Sequence, residues 1–290
     1  MASSTKNVKL GVCKIYFGGN DLGFTKGGVD VSVETEKYEV NIDQFGVTAI
    51  NELIQGRDVT VTTPLAETTL ENLVAIMPGS KMVQTGGGVA TGTITVTTNP
   101  ATGETIIVNG ATVTFRTALT GVGTEVLIGA DQQSTAANLA AALNASADPL
   151  IAAATYSVAA AVVSVKYGNA LIYGTDGNKS ADGNNFTIAT GTAGVKITVS
   201  GAKLSGGTNA TATRVEVSTG TSIDLLEKAR ELRLHPIAKA DTDKSEDFVI
   251  PLAGTGGALT FAYKYDEERI YNVEFKGYPD ADGKLFYVGA

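Results

Sequence analysis

The stretch from Arg57 to Gly79 constrains the architecture of this chain more than any other. Val59 and Val61 alternate with Thr60 and Thr62, the period of a half-buried strand, and Pro64 removes the next ladder donor, so the strand is expected to stop there. Thr68 with Glu71 three residues on reads as a capping box, and Leu70, Leu73, Val74 and Met77 then share one helical face. Pro78-Gly79 ends a helix of about 10 residues. A single short amphipathic helix in a chain otherwise rich in strand patterns must lay its stripe on a sheet or at its edge.

The rest of the composition agrees with strands. The chain has 290 residues, 34 of them Gly, no Trp, many Thr and Val, and 43% hydrophobic residues, which favours a mainly β protein with real cores. Its length suits about two domains. Thr85-Gly86-Gly87-Gly88 and Ser205-Gly206-Gly207-Thr208-Asn209 are flexible stretches that fit the two ends of an insertion. The expected division is therefore a discontinuous domain over 1–84 and 211–290, and an inserted β-rich unit over 85–210 with one helix. Inside the insert, strands are expected around Ile94 to Val96, on both sides of an Asn109-Gly110 hairpin turn, over Tyr156 to Val165, Phe186 to Ile188, and Val195 to Val199. Ser134 is expected to cap the helix carrying Leu139 and Leu143. The insert holds six acids and five bases, a balance of -1, so the total of -8 leaves -7 on the remainder.

Before the pivot, Val8, Leu10 and Val12 alternate in a first strand reaching Phe17, and Gly18-Gly19-Asn20-Asp21 turns it back. In the next strand Val29, Val31 and Val33 are apolar, but from Tyr38 onward the apolar set, Tyr38, Val40 and Ile42, has the opposite parity. Either a bulge lies near Glu34 to Lys37 or the strand leaves one sheet for another. We read it as an arm with Asp43-Gln44-Phe45-Gly46 near its tip, returning through Ala49 to Ile54 and Gly56. A two-stranded arm buries little by itself, so Tyr38, Val40, Ile42, Phe45, Ile50, Leu53 and Ile54 are candidates for packing on another copy of the chain. A loop folded back on its own core fits the same residues.

After the insert, Thr221 and Asp224 can cap a short helix, Glu231 to His235 alternates as a strand ended by Pro236, and Asp247 to Pro251 runs into a turn. Leu259, Phe261, Tyr263 and Tyr265 share one face of a strand. Asp266 to Arg269 makes a turn, and Tyr271, Val273 and Phe275 return from it, so a terminal hairpin with the densest aromatic core is expected.

Catalytic patterns are missing. One histidine followed by proline builds neither a Ser/His/Asp set nor a histidine metal site, and His235 is expected at a strand-end surface. Cys13, alone, reads as a small buried hydrophobe. Tyr173 to Ser180 resembles a phosphate loop without its two glycines. Asp241 to Asp247 and Asp176 to Asp182 fall short of a calcium loop. No cofactor, metal or enzymatic activity is expected. The acidic balance argues against a protein that grips phosphates, and the N-terminus lacks the apolar core of a signal peptide, which suggests a cytosolic product.

With the insert set aside, the chain resembles the tail tube (major tail) protein of long-tailed bacteriophages. The resemblance is carried by Tyr16-Phe-Gly-Gly-Asn-Asp-Leu-Gly23 with Thr25-Lys-Gly-Gly28, Asp43-Gln-Phe-Gly46, Pro64-Leu-Ala-Glu-Thr-Thr-Leu70, Leu234-His-Pro236, Lys244-Ser-Glu-Asp-Phe248 and Asp266 to Phe275. It implies a β-sandwich with one flanking helix and a long β-hairpin arm over residues 38–58, six copies in a ring, and rings stacked into a hollow tube. Its implied partners are further copies of the chain, a tape measure protein in the lumen, tail terminator and distal tail proteins at the ends, and double-stranded DNA in transit without specific binding. The implied location is the virion tail, reached from the host cytoplasm. An acidic lumen would keep the phosphate backbone from sticking, which makes Glu34, Glu36, Glu39, Asp43, Glu52 and Asp58 candidates for lumen or arm positions. The insert is similar to accessory domains of phage structural proteins and would project from the tube. A lectin-like or adhesin-like pair of β domains is the alternative that the Thr/Gly/Asn-rich insert suits.

Overall fold

The computed structural model describes residues 11–289 and is mainly β, with 42% strand against 18% helix. It divides into two compact units, Met1–Gly79 with Thr219–Ala290, and Ser80–Ser218.

In the first unit β1 (Cys13–Phe17) turns through Gly18 and Gly19, both at positive φ, into β2 (Asn20–Asp21). The expected strand positions Val8 and Leu10 lie outside the described residues. β3 (Asp30–Asn41) and β4 (Ala49–Leu65) follow, joined across a 3-10 turn at Asp43–Phe45. Pro64 does not end β4. It stands opposite Asn272, its carbonyl accepts the Lys26 amide at 3.0 Å, and the strand runs on to Leu65.

Helix α1 (Leu70–Ile76) is shorter than expected and begins later. Its cap is Thr69, whose hydroxyl accepts from the Asn72 amide at 3.1 Å, while Thr68 accepts from Arg269 Nε at 2.9 Å. The stripe turns with the start: Asn72, Val74, Ala75 and Ile76 are buried and Leu70 is exposed. Asn72 tolerates that position because its amide donates to the carbonyls of Leu22 and Glu67 at 2.8 and 2.7 Å.

The second unit opens with β5 (Ser80–Thr85), β6 (Thr91–Val96), β7 (Thr105–Val108), β8 (Ala111–Arg116) and β9 (Thr124–Leu127). Then come α2 (Gln132–Asn144), α3 (Pro149–Ala152), β10 (Ala154–Ala159), β11 (Val162–Tyr167), α4 (Ala170–Tyr173), β12 (Ile188–Ala189), β13 (Ile197–Val199) and β14 (Ala212–Val217). The sheet orders are β10-β11-β6-β13 and β12-β7-β8-β9, with β5 and β14 as a separate pair. Asn109 and Gly110 both take positive φ, 49° and 88°, the turn that matches the twist of β7 and β8. Asp131 caps α2, and Ser134 closes the capping box from the third helical position instead of capping. Leu139 and Leu143 pack into one core with Ile94, Phe115 and Val165.

The chain re-enters the first unit through α5 (Leu225–Lys228), capped by Asp224 and not by Thr221. β15 (Arg230–Pro236), β16 (Phe248–Thr255), β17 (Tyr271–Tyr278) and β18 (Tyr287–Val288) complete a sheet of order β2-β1-β15-β16-β17-β4-β3, with β18 on β16. Pro251 lies inside β16 where a turn was expected. The register shifts there, Leu232 facing Ile250 and Arg230 facing Ala253, and a bulge spares the proline a ladder bond. β17 alternates cleanly, burying Tyr271, Val273 and Phe275, with the Phe275 ring 5.0 Å from that of Phe17.

Two further expectations fail in this unit. His235 is wholly buried, because β15 has β1 on one edge and β16 on the other, and Leu232 to His235 are buried on both faces. The aromatic hairpin does not form either. Residues 259–270 hold one bridge, Thr260 to Asn272, and β17 pairs with β16 and β4 instead.

Candidate assembly surface

β3 and the first ten residues of β4 form a ribbon that is exposed along its length, with Val40 and Gly56 half-buried. Among the described residues β3 pairs with β4 alone. The ribbon carries the sequence-predicted set: Tyr38, Phe45, Ile50, Leu53 and Ile54 are each at least half exposed, and Ile42 is somewhat less so. Val47, which sequence reasoning passed over, is 96% exposed beside the tip. Exposed apolar patches of this kind mark interaction sites, ligand grooves or aggregation-prone surfaces.

The register explains the change of parity in β3. Paired residues in an antiparallel ribbon share a face. Ser32 with Thr60, Glu34 with Asp58, and Glu36 with Gly56 make one face polar near the body, while Val31 with Val61 and Val33 with Val59 make the other apolar as far as Thr35 and Arg57. Between Glu36 and Lys37 the partner strand has one extra residue, Gln55, so Lys37 meets Ile54 and Tyr38 meets Leu53. The bulge lies where the parity placed it, between Glu36 and Lys37, and its extra residue is on β4. Beyond it the first face becomes apolar, with Tyr38, Leu53 and Val40, and the second becomes charged, with Lys37, Glu39 and Glu52 beside Ile54. A second extra residue, Ile50, precedes the tip.

The acidic candidates consequently split. Glu34, Glu36 and Asp58 share the first face, which continues across β4 onto Glu274 and Lys276 of β17, and Lys276 Nζ lies 3.4 Å from Asp58. Glu39 and Glu52 lie on the opposite face, and Asp43 is in the tip turn. All six are exposed. Two cross-strand pairs, Glu34 with Asp58 and Glu39 with Glu52, place like charges directly opposite, an arrangement that works against the ribbon unless a cation intervenes. Lys37 does so for the second pair, 2.9 Å from Glu52, and that bond holds its ammonium proton more tightly than usual.

Elsewhere in the unit a buried polar row crosses the sheet. His235 Nδ1 is 2.6 Å from Asp247 Oδ1, Arg233 Nη1 is 3.6 Å from Asp247 Oδ2, and the Arg233 guanidinium lies 4.4 Å from the centre of the Tyr16 ring. Cys13 is only half-buried, and burial raises its thiol pKa, so it is a poor nucleophile. Among the described residues no group of three or more His, Cys, Asp and Glu side chains is placed to hold a metal ion, and no helix is long and apolar enough to cross a membrane.

No protein-family model matches the chain, and no curated protein matches it.

Proposed function

We propose that this chain is a self-assembling structural subunit of the phage tail tube class, forming hexameric rings that stack into a hollow conduit for DNA. The observation that carries the reading is the β3–β4 ribbon, whose seven exposed large apolar residues from Tyr38 to Ile54 lack a covering surface among the described residues. The sheet order supports it, because among the described residues the sheet has open edges at β3 and at the β1–β2 end, which further copies can extend. The face shared by Glu34, Glu36, Asp58 and Glu274 is the candidate lumen lining. Carboxylates there repel passing phosphates, and a tape measure protein would occupy the same channel before ejection. Ser80–Ser218 serves as the accessory domain of that subunit.

Electron microscopy of the concentrated protein tests the reading. Uniform hollow tubes or rings are expected, and Phe45→Asp should abolish them while leaving a folded, soluble subunit. Monomers at every concentration, with affinity for glycans, would favour the cell-surface binding alternative.

A further inference from the structure

The segment from Leu259 to Tyr265 has the sequence of a strand but belongs to no sheet among the described residues. Leu259, Phe261, Tyr263 and Tyr265 alternate with Thr260, Ala262 and Lys264, and the aromatic content favours pairing. Its one ladder contact is at Thr260, whose carbonyl accepts from the Asn272 amide at 3.5 Å. From there exposure climbs, from 45% at Phe261 to 81% at Tyr263 and full exposure at Tyr265. One end is anchored: the Phe261 ring meets Tyr271 edge-on at 5.3 Å, and Arg269 Nη1 donates to the Tyr263 hydroxyl at 3.2 Å. Aromatic side chains are thus held out on a stretch of backbone that lacks a ladder.

The segment's own unit offers it little. β17, beside which Thr260 is held, has β4 along one edge, and on the other β16 pairs only with Phe275–Tyr278, so the stretch left open, Tyr271–Glu274, is too short for the segment, while the free edge of β3 lies beyond β4. That edge is long, and it matches the segment in charge. Asp30–Asn41 carries four acids and one lysine, a balance of -3, while Leu259–Tyr265 carries Lys264 as its single charge. Seven residues span roughly 23 Å, which fits within the length of β3. We propose that Leu259–Tyr265 becomes a strand by pairing with the open edge of β3 in a second copy of this chain. Main-chain hydrogen bonds give such an added strand its affinity, and alternate side chains give it its register. The proposal rests on the assembly reading above.

The test uses full-length variants in a Cys13→Ser background. Tyr263→Cys is mixed in turn with Val31→Cys, Val33→Cys, Thr35→Cys and Lys37→Cys, and oxidised under assembly conditions. A covalent heterodimer with at least one partner is expected. If tubes form and none of the four gives a heterodimer, the strand pairing is overturned and the tube reading stands. If the wild-type chain gives neither tubes nor rings, both are overturned. A bridge formed within one dilute chain carrying both cysteines would place the strand on its own edge and also overturn the proposal. Ala262→Pro supplies an independent arm, since it removes a ladder donor at an exposed position. It should leave the melting temperature of the subunit unchanged and lose the tubes, and tubes in wild-type yield would refute the pairing.

Discussion

Glu39 lies directly across the ribbon from Glu52, and Lys37, two residues before Glu39 on the same face, reaches Glu52 at 2.9 Å. One ammonium therefore moderates two facing carboxylates on a hairpin with few other contacts. Glu39→Lys should convert the repulsion to attraction and slow amide exchange between residues 37 and 54 at low salt. The gain should fade as ionic strength rises, because exposed charges are screened over about 10 Å at 0.1 M. Unchanged exchange at low salt would mean that the pair has no influence on the ribbon.

His235 and Asp247 are 0% and 1% exposed, so removing His235 leaves Asp247 with Arg233 alone, 3.6 Å away. His235→Ala leaves a buried carboxylate without its 2.6 Å partner and should cost about 3 kcal/mol in urea unfolding. Asp247→Ala should cost a similar amount, and the double variant less than the sum. An additive cycle would show that the two side chains are not coupled.

Glu125 organises a loop of the second unit. Its carboxylate accepts from the Thr120 hydroxyl and amide at 2.6 Å each, from the Gly121 amide at 3.0 Å and from Arg116 Nε at 3.0 Å. The Thr120 hydroxyl and amide lead in holding its pKa down to about 2, against an ordinary 4.5. A depressed carboxylate contributes stability above its unfolded pKa and loses it as pH falls through the folded value. Loop order over 117–123 should therefore persist to pH 4.5 and disappear between pH 4.5 and about 2. Glu125→Gln should loosen the loop at neutral pH and flatten its response to acid. Amide exchange of Thr120 and Gly121 reports both.

Ser80 stands opposite Val217, so the two crossings between units lie side by side. Replacing Ser80–Ser218 by a short Gly/Ser linker should leave a first unit that folds and unfolds cooperatively. Adjacent strands are about 4.8 Å apart, a gap a few residues span. Insoluble or unfolded product would mean that this unit depends on the other.

Local chemistry was enough wherever one short stretch carries the instruction. The Asn109-Gly110 turn, the Asp224 cap, the alternation of Tyr271, Val273 and Phe275, and the exposed apolar positions of the ribbon are each set by neighbours within a few residues. The helix cap slipped from Thr68 to Thr69 because both can accept an amide, and the choice fell to Arg269, about 200 residues away, which takes the Thr68 hydroxyl.

What the tertiary structure decided are the features that depend on which strands lie side by side. His235 is buried because β1 and β16 enclose β15, and Pro251 stays in its strand because a bulge relieves it. Glu34 and Glu36 part from Glu39 by alternation along β3, but Asp58 and Glu52, an even number of residues apart, take opposite faces because Gln55 is an extra residue on β4, which no count along β3 can reveal. A sequence fixes the period of its own side chains. The face each one presents depends on register, and register is set by the hydrogen-bonded neighbour.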